Sequence, residues 1–247
     1  MNNLVIDIGN TRTKFAIFKN NKLVVSFPTS EAVPDVLKEL KTDYPEISAV
    51  ILSSVRDYSN KLIKQIKKEF QTVIELTDKT ALPLKNCYET PTTLGKDRIA
   101  AAVGANNLYP NQNLLIIDAG TAITYDYVNN NNEYEGGFIT PGLNMRFRAL
   151  HEFTDKLPLL KSHAPLIPEG KNTTSSISGG IQLGIEGEVI RITDHFKEKN
   201  TQLKVILTGG DINYFEKLLK NHIFVSPEIT LLGLNVILEF SKDKMNK

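Results

Sequence analysis

The feature that most constrains this chain is a strand-and-turn pattern that occurs twice. The first copy, VIDIGNT, runs from Val5 to Thr11, and the second, IIDAGTA, runs from Ile116 to Ala122, about half the chain length further on. Each copy has the pattern of a buried strand that ends in Asp, one further residue and Gly. A sequence that encodes the same strand and turn twice is predicted to contain a duplicated domain, with one copy in each half.

Each copy also opens a similar order of elements. In the first half, LVIDI, TKFAIF and KLVVSF are three strand-like runs separated by turn residues, and NLLIIDAG, AITYDYV and EYEGGFIT repeat this order in the second half. Helical patterns and further strands follow in both halves, and strands that alternate with helices indicate parallel pairing in an α/β layer. The sequence therefore predicts an α/β fold of two domains, residues 1–112 and 113–247, with an active-site cleft between them.

Apolar residues at helical spacing predict the remaining helices. We expect one helix to begin near Gly95, others to cover about 143–153 and 175–199, and a last helix around 231–238. Residues 76–94 contain two prolines and several threonines without clear periodicity. Because long stretches without regular structure inside a compact domain are usually functional, we expect this one to have a functional role.

The two Asp-x-Gly turns have a specific chemical use. Gly lets the backbone turn sharply and lets a ligand approach closely, and the freed N–H groups and a Thr hydroxyl can donate hydrogen bonds to phosphate oxygens. The Asp carboxylate would repel phosphate, but it can hold a cation or the water shell of a cation. With a third glycine turn at Leu207–Asp211, the sequence predicts a polyphosphate site with a metal ion, although each turn could also be a plain hairpin.

Composition narrows the possible partners. The net charge of +1 gives no strong attraction to nucleic acid or to an anionic membrane. The single cysteine, Cys87, excludes a disulfide within the chain and a cysteine-rich metal site. No apolar run approaches the length that spans a bilayer, and the first residues lack the pattern of a signal peptide, so we expect a cytoplasmic protein. No P-loop or dinucleotide-binding glycine motif is present to suggest another nucleotide site.

The duplicated hairpins resemble those of the acetate and sugar kinase, actin and chaperone ATPase superfamily, whose domains have a ribonuclease H-like fold. Within that superfamily, the chain resembles the type III pantothenate kinases in six segments that occur in the family's order. The segments are DIGNTRTK (Asp7–Lys14), GKDR (Gly95–Arg98), IDAGTAITYD (Ile117–Asp126), GGFITPG (Gly136–Gly142), GKNT (Gly170–Thr173) and LTGGD (Leu207–Asp211).

This resemblance implies a reaction and its partners. Members of the family phosphorylate the primary hydroxyl of pantothenate with ATP, which is the first step towards coenzyme A. They need Mg²⁺ and a monovalent cation, K⁺ or NH₄⁺, and they usually form homodimers. The resemblance therefore implies that this chain binds pantothenate and ATP, that it forms a homodimer, and that it binds neither nucleic acid nor membrane.

The resemblance also implies which residues bind ATP and the metal ions. The first turn supplies most of the ATP contacts, and the later turns add three more. Asp7 would additionally hold Mg²⁺ through water, and Asp118 would hold the monovalent cation. The ATP-binding residues carried over are Asp7, Ile8, Gly9, Asn10, Thr11, Arg12, Thr13, Lys14, Thr121, Gly209 and Gly210.

On the acceptor side, Asp97 matches the catalytic base of the family. The neighbouring Arg98 matches a residue that binds pantothenate, and this agrees with the chemistry, because Arg can bind a carboxylate with two hydrogen bonds while a carboxylate can accept the proton of a hydroxyl. Lys96 departs from the family, where an aliphatic residue is common; if it faces the pocket, it would lower the pKa of Asp97. The substrate-binding residues carried over are Tyr88, Gly95, Lys96, Arg98 and Thr173.

Two other functions stay open at this point. The chain could phosphorylate another small carboxylate or a sugar, although Arg98 argues against a neutral sugar. It could also be a non-catalytic nucleotide-binding or transcription-accessory relative, although such a protein would have little use for Asp7, Asp97 and Asp118 together. An apolar stripe on the helix predicted at 175–199 is either core or a dimer interface; its residues are Ile185, Val189, Ile192 and Phe196.

Overall fold

A computed structural model of the chain describes residues 2–161, 169–200, 202–218 and 223–245. The residues form two compact units. The first unit consists of Met1–Asn111, Asn129–Glu135 and Glu228–Lys247, and the second consists of Gln112–Val128 and Gly136–Pro227. None of the helices in the described ranges combines the length and the apolar character that a membrane-spanning helix needs.

The first unit is built on a five-stranded sheet with the strand order β3-β2-β1-β4-β5. The central strand β1 pairs antiparallel with β2 and parallel with β4, and all seven of its residues are buried because helices cover both faces of the sheet. Strands β1, β2 and β3 form an antiparallel meander, which confirms the three strand-like runs predicted at the start of the chain. The strands are β1 (Asn2–Ile8), β2 (Thr13–Lys19), β3 (Lys22–Thr29), β4 (Ile47–Ser54) and β5 (Thr72–Glu75).

Four helices complete the first unit. They are α1 (Val33–Asp43), α2 (Asn60–Glu69), α3 (Lys96–Leu108) and α7 (Ile229–Met245). The apolar stripes of α1 and α2 pack in one core with β1, β2 and β4. Helix α7 packs along α3 and also contacts β1, β4 and β5. The last helix of the chain therefore belongs to the first compact unit, which differs from a division into residues 1–112 and 113–247.

Helices α3 and α7 approach each other closely because each has a glycine at the contact. A Cβ atom on Gly104 would lie 2.2 Å from the backbone oxygen of Ile229, and one on Gly233 would lie 1.8 Å from the backbone oxygen of Ala100. These distances are too short for real atoms, so a side chain at either position would force the two helices apart. This contact fixes the position of α3, whose first turn carries Asp97 and Arg98.

The stretch 76–94 is mostly irregular, as predicted. It contains the two-residue strand β6 (Lys85–Asn86) and a single 3₁₀ turn at Pro91–Thr93. Strand β6 pairs in parallel with the first residues of β9 (Glu133–Pro141), and Lys85 forms an ion pair of 2.7 Å with Glu133.

The second unit repeats the beginning of the first. Strands β7 (Asn113–Ala119) and β8 (Ala122–Val128) form an antiparallel hairpin, and β9 lies beside β8. On the other side of β7, β10 (Leu203–Thr208) and β11 (Ile223–Val225) follow in parallel. The strand order β11-β10-β7-β8-β9 thus places the second Asp-x-Gly strand in the middle, where β1 lies in its own sheet.

The described part of the second unit contains the helices α4 (Leu143–Glu152), α5 (Thr173–Lys199) and α6 (Ile212–Leu218). The apolar stripe on α5 packs into the core of this unit, which confirms the core alternative for these residues. Asn172 begins α5 by accepting a hydrogen bond of 2.9 Å from the backbone N–H of Ser175, and the side chain of Ser175 in turn accepts one from Asn172.

Candidate active site

The first Asp-x-Gly turn connects β1 to β2. Residues 9–12 form the loop, in which Gly9 N–H donates a hydrogen bond of 3.1 Å to the backbone oxygen of Arg12. Residues 10–12 are exposed at the tip, whereas Asp7 and Thr13 are buried at its base and Lys14 pairs with Asp7 across the two strands. The loop therefore presents backbone N–H groups to solvent above a buried carboxylate.

Burial gives Asp7 an unusually high pKa for a carboxyl group. The residue is 8% exposed, and the loss of hydration raises the pKa of its carboxyl from the usual 3.8 to about 6. The hydroxyl of Ser53 lowers this pKa, the charge of Asp97 raises it, and the charge of Lys14 lowers it. Within the described ranges, neither Asp7 Oδ1 nor Ser53 Oγ completes a hydrogen bond of normal geometry. A cation at Asp7 would satisfy this oxygen and favour the ionised carboxylate.

Helix α3 positions the predicted acceptor residues. Gly95 precedes its first turn, and a Cβ atom there would lie 2.6 Å from Asp97 Oδ1, so glycine leaves space for that side chain. The backbone N–H of Arg98 donates a hydrogen bond of 2.9 Å to the same Oδ1. Arg98 is buried, and its guanidinium carbon lies 5.7 Å from the ring centre of Tyr88. The first unit therefore brings together Tyr88, Gly95, Asp97 and Arg98.

Asp7 and Asp97 are close enough for the charge of one to affect the pKa of the other. The buried carboxylate of Asp7 is suited to Mg²⁺, which proteins usually hold with one or two carboxylates, water and substrate phosphates. No cluster of three or more His, Cys, Asp and Glu side chains occurs among the residues that the structure describes. The described residues therefore fit a metal ion that is held partly by the phosphates of a nucleotide. They fit less well a metal ion that is held by protein side chains alone.

The second unit brings together the predicted residues of its own turns. Gly120 N–H donates a hydrogen bond of 3.2 Å to the backbone oxygen of Ala122, so Gly120 and Thr121 alone form the loop between β7 and β8. Asp118 lies at the end of β7, opposite Thr208 of the parallel strand β10. This second loop has two residues where the first has four, and it therefore offers fewer backbone donors.

The third turn packs directly on the second. Gly209 has a φ of +103°, and a Cβ atom on it would lie about 2.5 Å from the backbone of Ala119. Asp211 N–H donates a hydrogen bond of 3.0 Å to the backbone oxygen of Ala119. Asp118, Thr121, Gly209 and Gly210 therefore lie around one edge of the sheet. Thr173 lies at the exposed beginning of α5.

Residues 3–195 match a protein-family model described as type III pantothenate kinase. This chain belongs to the type III pantothenate kinase family. Two relatives with that name extend the similarity to nearly the whole chain. The protein of Christiangramia forsetii is 45% identical over 97% of this chain and 99% of its own length, and that of Phocaeicola vulgatus is 42% identical over 98% and 100%.

Solved structures support the fold of this pantothenate kinase family member. A Campylobacter jejuni protein named as a Baf family transcriptional activator has a TM-score of 0.64 at 21% identity, with 97% of this chain and 99% of that chain covered. A ROK hexokinase from Thermus thermophilus has a TM-score of 0.52 at 14% identity, with 98% and 100% covered. At these identities the similarity concerns the fold alone, and it confirms the predicted duplicated ribonuclease H-like architecture.

The first unit contains a pocket, and the sequence did not predict one of its walls. A cavity of about 560 Å³ lies beside the start of α3. Residues 94–96, including Lys96, form one side of it, and residues 54–57 after β4 form the other. Strand β4 runs parallel to β1, and the ends of adjacent parallel strands meet at the same sheet edge. The available signal was the run Ser53–Asp57, which is polar except for Val55 and begins at the end of an apolar strand.

Proposed function

We propose that this chain transfers the γ-phosphoryl group of ATP to the primary hydroxyl of pantothenate, giving 4′-phosphopantothenate and ADP at the first step of coenzyme A biosynthesis. The observation that carries the proposal is the arrangement of Asp97 and Arg98 at the start of α3, in a chain of this family. A base for a hydroxyl and a cation for a carboxylate are the two groups that pantothenate requires.

Asp97 acts as the general base in this proposal. The Arg98 N–H holds Oδ1 of the carboxylate, which leaves Oδ2 to accept the proton of the hydroxyl. The hydroxyl oxygen then bonds to the γ-phosphorus as the bond to the β–γ bridging oxygen breaks, and ADP leaves. The guanidinium of Arg98, which lies over Tyr88, binds the carboxylate of pantothenate.

Each unit has a turn with donors suited to the phosphate oxygens of ATP. In this proposal, backbone N–H groups of residues 10–12 and the hydroxyl of Thr121 donate to phosphate oxygens, and Gly209 and Gly210 bind the nucleoside side of ATP. Asp7 would hold Mg²⁺ through water, and this ion would neutralise charge on the transferred phosphoryl group. Asp118 would hold K⁺ or NH₄⁺. Thr173 contacts pantothenate, and we expect the active form to be a homodimer in the cytoplasm.

One assay of ADP release tests the function. We expect rapid ADP formation in the presence of pantothenate, Mg²⁺ and K⁺, a much lower rate without K⁺, and background turnover without pantothenate. Mass spectrometry should identify phosphopantothenate as the product. Hexoses and short carboxylates in place of pantothenate test the alternative acceptors. ADP release that does not depend on pantothenate, or faster turnover with another acceptor, would refute the proposal.

A further inference from the structure

A carboxylate outside the predicted site is held by three donors in the second unit. Glu188 on α5 accepts hydrogen bonds at Oε1 from Thr140 (2.7 Å) and Tyr125 (3.1 Å), and at Oε2 from Arg146 (2.7 Å). The side chains of Arg146 and Glu188 are only 19% and 23% exposed. We call these four residues the Glu188 cluster. It joins β8, β9, α4 and α5 at one point.

Arg146 connects the cluster to the backbone beside it. Its Nε donates a hydrogen bond of 2.9 Å to the backbone oxygen of Pro141, while another of its nitrogens bonds Glu188. The next residue, Gly142, lies against the loop between β7 and β8, since a Cβ atom on it would be 2.2 Å from the backbone oxygen of Thr121 and 2.6 Å from that of Gly120. The cluster, the Pro141–Gly142 segment and the Gly120–Thr121 turn are therefore in continuous contact.

We infer that the Glu188 cluster holds the Gly120–Thr121 turn in the position where it binds ATP phosphates, and that Glu188 and Arg146 are positioning residues for phosphoryl transfer. This inference rests on the proposed function, because the contact of the turn with phosphate is part of that proposal. Phosphoryl transfer depends mainly on positioning, and a displacement of about 1 Å can cost on the order of 10² in rate. The β7–β8 hairpin and the third turn hold Ala119 beside this turn, whereas the Pro141–Gly142 segment lies against Gly120 and Thr121 themselves.

The two contacts of Arg146 separate this role from that of an ordinary ion pair. Lysine at this position would keep the charge and could bond Glu188, but a single ammonium cannot reproduce the planar fork that also reaches the oxygen of Pro141. If the ion pair alone mattered, Arg146→Lys would behave like the wild type. If the hold on Pro141 matters, Arg146→Lys should be impaired almost as much as Glu188→Gln.

The test compares these two variants with a matched control. Arg148 and Glu152 form an ion pair of the same 2.7 Å length on α4, but they are exposed, so Glu152→Gln removes a similar contact away from the turn. Kinetic constants for ATP and pantothenate and the Kd for a non-hydrolysable ATP analogue with Mg²⁺ are measured for each protein. We expect Glu188→Gln and Arg146→Lys to lower kcat/KM for ATP roughly tenfold or more, with a change below about twofold in the KM for pantothenate.

Thermal melting distinguishes a displaced Gly120–Thr121 turn in a folded protein from unfolding of the protein. Should Glu188→Gln unfold, Thr140→Val removes a single donor to Glu188 and replaces it in the comparison. Normal kinetics for ATP and normal analogue binding in Glu188→Gln and Arg146→Lys would overturn the inference. An increase in the KM for pantothenate as large as the increase in the KM for ATP would also overturn it. If the wild type does not phosphorylate pantothenate, the proposed function fails, whereas weaker analogue binding by Glu188→Gln than by Glu152→Gln would still support the cluster's role.

Discussion

At the scale of single residues, the base of the first turn holds a buried carboxylate whose ionisation is unfavourable, and a bound cation can stabilise its charge. Asp7 is buried, and the charge of Asp97 opposes its ionisation further. Lys14 and Ser53 offset only part of this cost, since the pKa of Asp7 stays near 6. A buried group that destabilises the unliganded protein points to a functional site, and we propose that Asp7 serves the metal ion that binds with ATP.

Replacement of Asp97 by Asn tests the assignment of the base. The amide keeps the size of the side chain but cannot accept a proton, so we expect kcat to fall by at least about 10², the lower end for loss of a general base. ATP binding should change little, because Asp97 serves the acceptor. Steady-state kinetics and calorimetry with ATP measure both quantities. Asp43→Asn, at the exposed end of α1, is the control; a kcat equal to that of the control would remove Asp97 from this role.

The raised pKa of Asp7 predicts a pH-dependent stability. The unfolded carboxyl ionises near pH 3.8 and the folded one near pH 6. Between these values the folded state binds more protons, so stability falls as pH rises and stays lower above about pH 6. The difference corresponds to a cost of about 3 kcal/mol. In protein free of metal and nucleotide, Asp7→Asn should therefore raise the free energy of unfolding by up to that amount at pH 8, and by much less at pH 4.

Denaturant unfolding at both pH values measures this difference. The Asp7→Asn variant should also lose the stabilisation that Mg²⁺ and ATP give to the wild type, because the neutral amide cannot replace the carboxylate. Asp43→Asn provides the baseline for an exposed aspartate. A stability change of the same size at pH 4 and pH 8 would show that burial of the Asp7 charge is not its cause.

At the scale of elements, α3 carries the residues that we propose act on the acceptor, and its position depends on α7. Gly233→Ala would place a Cβ atom 1.8 Å from the backbone oxygen of Ala100, so the two helices must separate. Overpacking typically costs about 1–3 kcal/mol, and we expect a loss at the upper end of this range because the obstacle is backbone. Activity should fall as well, since α3 carries Asp97 and Arg98.

A second glycine provides the matched control for this change. Gly180 lies within α5, and among the described residues no atom outside its own stretch of helix is within 4 Å of the position of its Cβ. Gly180→Ala should therefore stabilise the protein by up to about 1 kcal/mol, as expected for alanine in a helix. Urea unfolding of both variants gives the comparison. Equal effects of the two substitutions would contradict the close contact between α3 and α7.

Local signals in the sequence were sufficient for the turns and for the start of α3. Both Asp-x-Gly turns follow buried strands, and Gly95 with Asp97 marks the beginning of the helix. The wall formed by residues 54–57 was not predicted, because it reaches the site through the parallel register of β4 with β1. Glu188 was missed for a similar reason: its partners come from three other elements, and no local pattern joins them.

At the scale of the whole molecule, the chain returns to its first unit at the end. Periodicity predicted a helix around 231–238, but periodicity shows which face of a helix is apolar and not which element covers it. Helix α7 packs on α3 and on strands of the first sheet, so the first unit is complete only when the last residues have been added. The two domains predicted from the sequence, residues 1–112 and 113–247, stay a prediction. The compact units of the structure differ from them by placing α7 with the first unit.

Removal of α7 tests this arrangement. Five large apolar side chains of α7 are at most 1% exposed; they are Ile229, Leu231, Leu234, Ile237 and Leu238. Each contributes roughly 1.5–3 kcal/mol through burial, so together they contribute roughly 10 kcal/mol, which is comparable to the whole net stability of a typical domain.

A chain that ends at Pro227 should therefore lose the fold of the first unit, even though most of that unit is encoded before residue 112. Hydrogen exchange should show unprotected amides in β1 and β4, while β7 and β10 keep more of their protection because their unit contains no part of α7. A chain that ends at Asp243 is the control, since Lys244 and Met245 are exposed. Protection of β1 and β4 in the shorter chain, equal to that in the control, would contradict the assignment of α7 to the first unit.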